Sequence, residues 1–292
     1  MAGSTADAVR PGAAPPAARE RAAGLADAGA LHWLLRAACA AEFVGHGAFG
    51  VMTKAAWLPY LGVVGIAPEL AWKLMPVIGT VDITLGVVVA LRPVPAALLY
   101  MAFWGFATAT IRPLAGEPVW EFIERVPNWA IPLAFLCVRG LGRSPAKPPP
   151  GLNRQTVAAP AAALGRRELD RLLRLAVAGA FVGHGAYGAV MGKAAWFGYF
   201  AVLGVPAAVV RADALLPLVG GLEIALGVLA LARPAPAFLV FLCAWKVVTE
   251  LLRPAAGEPL WEFVERGSSM VAPLALLHLR GWPGSLAGWW RG

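Results

Sequence analysis

Seven ionisable side chains interrupt the apolar runs of this sequence: Glu42, His46, Asp82, His184, Glu223, Lys246 and Glu250. A charge at the centre of a bilayer costs about 2.5–3.5 kcal/mol on insertion scales, so such groups face a bundle interior or a functional site. Histidine titrates near neutral pH. The set is therefore a candidate site for a proton, an ion, a quinone or a metal. The plainer alternative is that the groups pair with one another and fix helix packing. Glu42 and His46 are four apart and share a helix face. Asp82 is expected near the depth of Glu42, with His46 about one turn outward. The chain is a repeat, and its second half changes this set. Ala180 stands for Glu42, while Lys246 and Glu250 stand for Gly105 and Ala109. Lys246 is expected near the depth of His184. The histidine and the second-span acid are kept in both halves.

The strongest repeat signal is Arg112–Arg125, RPLAGEPVWEFIER, which returns at Arg253–Arg266 as RPAAGEPLWEFVER with eleven of fourteen positions identical. Glu117, Glu121 and Glu124 fall at i, i+4 and i+7, with copies at Glu258, Glu262 and Glu265. Pro118 suits a first helical turn, and carboxylates there favour the positive end of the helix dipole. Local stabilisation, with pairing to Arg112 and Arg125, is one reading. The other is a docking surface or cation site made of these acids with Trp120, Arg125, Trp261 and Arg266.

Other chemistry finds little support. Cys39, Cys137 and Cys243 each sit alone in an apolar run, without CxxC, and read as small buried hydrophobes. No compact ligand motif supports a metal. Axial haem ligation by His46 and His184 across a two-fold is a further option. His32 and His278 read as interfacial. No nucleophile–base set, phosphate loop or dinucleotide fingerprint occurs, so the sequence does not specify an enzyme.

The elements that must position these groups follow from composition. The 292 residues are 59% hydrophobic and 14% charged, against roughly 25% charged in soluble domains. Mean hydropathy is +0.66. The chain reads as an all-α integral membrane protein whose partner is the lipid bilayer, with no nucleic acid despite a net charge of +8. Spans are expected at 31–52, 72–91, 94–111 and 119–138, then at 169–190, 213–232, 235–252 and 260–279. Pro132 and Pro273 should bend the fourth span of each half. The expected organisation is a disordered cytoplasmic tail (1–28) without a cleavable signal, a first four-helix repeat (29–140), a Pro-rich linker (141–165), a second four-helix repeat (166–281) and a short tail (282–292). Sixteen basic residues fall on one side and eight on the other. Both termini are then cytoplasmic, in a cell (inner) membrane. Eight helices in two parallel repeats put both GEPxWEFxER segments outside, with Trp57, Trp72, Trp120, Trp196 and Trp261 as an aromatic belt.

Each half resembles the DoxX/DoxD-like family of small four-helix membrane proteins. The matching residues are Arg36, Gly47, Lys54, Asp82, Gly86 and Arg92, repeated as Arg174, Gly185, Lys193, Glu223, Gly227 and Arg233. They cover about half of each repeat. The duplication, the GHG motif and the long acidic segment depart from the family pattern. The resemblance implies a four-helix bundle per unit. It also implies a redox association, through a quinone or a membrane or extracytoplasmic oxidoreductase as partner. A solute, ion or proton transporter with its site between the repeats, and a non-catalytic scaffold, are the rival expectations.

Overall fold

The computed structural model describes residues 16–139, 165–210 and 214–291, and all regular structure among them is helical. The expected linker (141–165), apart from Gly165, and the first fifteen residues of the expected tail lie outside the described residues. The helices are α1 (Pro16–Val51), α2 (Leu58–Val63), α3 (Pro68–Leu91), α4 (Pro95–Leu114), α5 (Trp120–Glu124) and α6 (Val126–Arg139) in the first repeat. The second holds α7 (Arg166–Ala189), α8 (Ala195–Val202), α9 (Ala207–Val210), α10 (Leu215–Ala232), α11 (Pro236–Ala255), α12 (Trp261–Val264) and α13 (Gly267–Arg280). Helix α1 thus begins within the stretch read from composition as a tail.

Local chemistry sets the ends. Pro68, Pro95 and Pro236 open their helices, where a missing N–H costs nothing. Arg92 and Arg233 precede prolines and leave helical geometry, closing α3 and α10. Arg36 donates to the carbonyls of Val89, Ala90 and Leu91, and Arg174 to that of Leu231. Arg36 and its copy Arg174 therefore cap the open carbonyl ends of α3 and α10. Gly116 and Gly257 share φ of +92°, a left-handed turn that accounts for the glycine in both AGEP copies.

Helices α1, α6, α7 and α13 make one central bundle. Leu35 and Phe43, Ile131 and Phe135, Leu173 and Phe181, and Leu276 form its core. Helix α3 lies on α1, α4 on α6, α10 on α7 and α11 on α13. Because α1 packs on α13 and α7 on α6, the two repeats share a single core.

The fourth helix of each repeat is not the continuous run expected. It divides at Arg125 into α5 and α6, and at Glu265–Arg266 into α12 and α13. At 1.5 Å per residue a 14-residue helix is roughly 21 Å long, short of the roughly 30 Å hydrocarbon core. Among the described residues, α3 and α10 are the two helices long and apolar enough to cross a membrane, and they are repeat copies. Helix α11 carries Lys246, Glu250 and Arg253 in its run. Large apolar side chains stand exposed along α3 (Val77, Val81, Val87), α4 (Phe103, Phe106) and α10 (Leu218, Leu222, Val228).

Candidate functional site

Each conserved histidine meets the second-helix acid of its own repeat. His46 Nδ1 lies 2.9 Å from Asp82 Oδ2, and His184 Nδ1 lies 2.6 Å from Glu223 Oε2. Both acids are fully buried. Trp57 stacks on the His46 ring at 4.6 Å, and Trp196 covers His184 at 5.2 Å. The expected aromatic belt thus loses Trp57 and Trp196, which are buried against imidazole, whereas Trp72 is exposed at 39%.

The glycines of the two GHG motifs face two ways. Gly47 and Gly185 press on Gly79 and Gly220 of their own second helices. Gly45 and Gly183 instead lie against the backbone of Glu265 and Glu124, which belong to the opposite repeat, and leave no room for a Cβ. The close approach needs glycine on both faces.

The acidic segments make the same crossing. Lys54 of the first repeat donates to Glu262 of the second at 2.7 Å, and Lys193 donates to Glu121 of the first at 2.7 Å. Each WEFxER segment is clamped by the lysine of the other half. Within the segments, Arg112 reaches Glu117 at 3.0 Å, and Arg125 reaches Glu121 at 2.7 Å and Glu124 at 3.1 Å. Arg253 reaches Glu258 at 3.4 Å, while Arg266 lies 2.8 Å from both Glu262 and Glu265. All six carboxylates have a cation. Glu121 and Glu124 are buried, and Trp120 is half-buried. In the first copy Glu121 and Glu124 thus point into the protein, while Glu117 and the three acids of the second copy are half-buried. Glu117 stands in the turn before α5, since the left-handed Gly116 delays the helix.

Tyrosines complete both clusters. Arg112 donates to Tyr60 Oη at 2.8 Å and Arg253 to Tyr199 Oη at 3.1 Å. Tyr60 and Tyr199 in turn donate to Glu117 and Glu258. Burial outweighs the neighbouring Arg112 and pushes the Tyr60 phenol up to about 12. Burial likewise pushes Tyr199 up against Arg253. Both remain neutral donors. The lysine and tyrosine of KAAWLPY (54–60) and of KAAWFGY (193–199) join these clusters and the tryptophan covers the histidine, and the doubled motif is their signal in the sequence.

The repeats differ around this shared frame. Glu42 accepts from Ser268 on α13, so it serves the helix contact rather than His46. In the second repeat, Lys246 donates to Glu250, and Arg253 and Arg266 approach Glu250 at 2.7 and 3.1 Å. Lys246 and Glu250 are completely enclosed. In the first repeat Gly105 and Ala109 leave the matching positions without side-chain bulk. Beside them on α4, Trp104 and Thr108 line a cavity of about 110 Å³ with His46, Trp57 and Tyr60, and with Arg266 and Ser269 from the second repeat. It is several times the roughly 10–15 Å³ that one water requires.

Trp104 Nε1, on the cavity wall, makes no hydrogen bond, and neither does the buried Asp82 Oδ1, whereas the copy of that pair closes, with Trp245 Nε1 donating to Glu223 Oε1 at 2.8 Å. Aspartate is one methylene shorter than glutamate, and the first repeat loses the contact. An unmade buried bond costs about 1–3 kcal/mol, which a hydrogen-bonding ligand recovers. His46 keeps its Nδ1 on Asp82 and offers Nε2. No protein-family model matches the chain, and comparison with characterised proteins and with solved structures finds no match either.

Proposed function

We propose that the chain is a multi-pass inner-membrane protein of the DoxX/DoxD-like kind, duplicated in tandem, with eight membrane-embedded helices and both termini cytoplasmic. In this reading it is redox-associated, and the first-repeat cavity receives a quinone head group. The observation that carries the reading is the unpartnered Trp104 Nε1 beside His46 in a cavity walled by aromatic rings. The cavity's arginines, Arg112, Arg125 and Arg266, already face carboxylates, so the space suits a neutral ligand with acceptor atoms. A quinone supplies two carbonyl acceptors and reversible two-electron chemistry when bound. The chain supplies the indole N–H of Trp104 as donor to a carbonyl, and His46, with its Nδ1–H on Asp82, presents Nε2 as acceptor to a hydroxyl of the reduced form. A haem between His46 and His184 does not fit. The backbones of Glu265 and Glu124 close the faces beside Gly45 and Gly183.

The test is the quinone content of the purified full chain after solvent extraction, with about one per chain expected. Trp104→Phe should lower that content at least roughly tenfold and leave thermal stability unchanged or raised, because the indole N–H has no protein partner to lose. Trp245→Phe should do the opposite, destabilising through Glu223 while sparing occupancy. Quinone-free protein, or full occupancy in Trp104→Phe, overturns the reading. The transport alternative draws on the lining of one cavity by both repeats. Solute flux in liposomes by quinone-free protein favours it.

Topology is tested by single cysteines in a background lacking Cys39, Cys137 and Cys243. Val119 and Leu260 occupy matching exposed positions, at 53% and 58%. Val119→Cys and Leu260→Cys should react with an impermeant thiol reagent from outside intact cells. Leu286→Cys, at an 84% exposed position near the carboxyl end, should not. The inverse pattern rejects the orientation.

A further inference from the structure

The first turns of α7 carry four arginines, Arg166, Arg167, Arg171 and Arg174, and Arg280 of α13 joins them. With Asp170, Leu175 and Leu231 they line a groove of about 710 Å³. Three of the five guanidinium groups are engaged by the fold. Asp170 accepts from Arg174 and from Arg280, both at 2.7 Å. Arg166 donates to the Leu279 carbonyl, Arg174 to that of Leu231 and Arg280 to that of Pro234. Arg167 and Arg171 are exposed, one turn apart, and have no hydrogen-bond or ion-pair partner among the described residues. Five arginines against one aspartate leave the groove strongly positive. The first repeat has Gly29, His32 and Trp33 where the second has Arg167, Asp170 and Arg171. The cluster is therefore particular to the second repeat, not a requirement of the shared fold.

The groove also has an apolar edge. Leu175 is 44% and Leu231 43% exposed, and Leu231 continues the exposed apolar side of α10 through Val228. Cationic groups above bare aliphatic surface match a molecule with a phosphate at one end and hydrocarbon at the other. We propose that this groove binds the phosphate of an anionic phospholipid, with Arg167 and Arg171 as its free donors and the acyl chains along α10. Basic pockets at the cytoplasmic ends of membrane helices suit such headgroups, and arginine pairs bidentately with phosphate. The proposal rests on the membrane reading alone and is independent of the cavity ligand.

The experiment uses the full chain, delipidated in detergent, and phosphatidylcholine vesicles with or without phosphatidylglycerol. Retained lipid is counted by native mass spectrometry. Phosphatidylglycerol should be retained in preference to phosphatidylcholine. Arg167→Gln with Arg171→Gln should weaken its retention roughly 30-fold, the equivalent of about 1 kcal/mol per arginine. Both side chains are exposed, so the double variant should keep the wild-type melting temperature. Equal retention of the two lipids, or of phosphatidylglycerol by wild type and double variant, overturns the proposal. Inorganic phosphate that displaces phosphatidylglycerol at equal concentration also overturns it, since the groove would then be a free-anion site. A chain that stays soluble without detergent would instead fail the membrane reading, a separate outcome.

Discussion

Ala109→Glu is expected to expel the ligand from the first-repeat cavity and leave the protein folded. The reason lies in the second repeat, where Glu250 occupies the matching position on α11. Glu250 is fully buried and is held by Lys246, by Arg253, three residues on, and by Arg266. The first repeat has two of these three cations ready, because Arg112 follows Ala109 by three residues and Arg125 is the copy of Arg266, while Gly105 stands in place of Lys246. Arg112 and Arg125 both line the cavity. Ala109 itself is buried beside the lining residue Thr108, so a glutamate introduced at 109 that reaches the two arginines enters the ligand's volume. An unpaired carboxylate would be costly to bury, but this one is paired in advance. Quinone content should fall at least roughly tenfold, with a melting temperature near that of wild type. Thr108→Leu, on the cavity wall, adds bulk without charge and should also lower occupancy. Gly105→Lys is the poorer probe, since a Cβ at Gly105 presses on the Asn128 backbone. Undiminished occupancy in both variants would show that the ligand sits elsewhere. Loss in both means that the duplication has one working site and one filled by its own side chains, which explains why the histidines agree between halves while their neighbours do not.

How much of this was legible in the sequence depends on the range of the interaction. Local features were readable. The all-helical pattern was read from composition. The left-handed Gly116 and Gly257 and the prolines that open α3, α4 and α11 are local consequences of residue type, whereas Pro118, expected in a first helical turn, precedes α5. The repeat exposed the differences that matter, Gly105 against Lys246 and Ala109 against Glu250, because alignment of the halves removes the shared background. Contacts between repeats were not readable. Lys54 with Glu262 and Lys193 with Glu121 are 208 and 72 residues apart, and no local period encodes them. Shared helix faces also mislead: Glu42 and His46 stand one turn apart, yet one bonds Ser268 and the other Asp82. Hydropathy sums ran through Arg125 and Arg266 and gave one long fourth span per half, since a window average does not register the turn. Trp57 and Trp196 lie at span ends, where a lipid-anchoring ring and a ring stacked on histidine have the same sequence signature.

Glu121→Gln should be among the most damaging single substitutions in the chain, with a loss of roughly 3–5 kcal/mol, the usual cost of breaking a buried ion pair from one side. Glu121 is 4% exposed. It receives Arg125 at 2.7 Å, Lys193 at 2.7 Å and the Tyr187 hydroxyl at 2.8 Å, and Arg112 stands at 3.5 Å. Glutamine keeps the shape but places an amide before two or three cations, at least one of which is then unmatched. The partner tells a different story. The Lys193 side chain is 40% exposed, so Lys193→Met releases a solvated ammonium and should cost no more than about 1 kcal/mol. The asymmetry between the two ends of one contact is the signature of a buried acid serving several cations. At the matching crossing Glu262 is 12% exposed, and Glu262→Gln should cost less than Glu121→Gln. Since these contacts join the repeats, they also govern assembly. The halves expressed as separate chains, 1–145 and 160–292, should co-purify from the membrane, and Glu121→Gln in the first should abolish that association. Thermal unfolding of the intact chain gives the stability, and recovery of the untagged half gives the association. A mild Glu121→Gln variant whose halves still co-purify would mean that the repeats are held by the glycine contacts at Gly45 and Gly183 and by the shared apolar core, with the crossed ion pairs adding little.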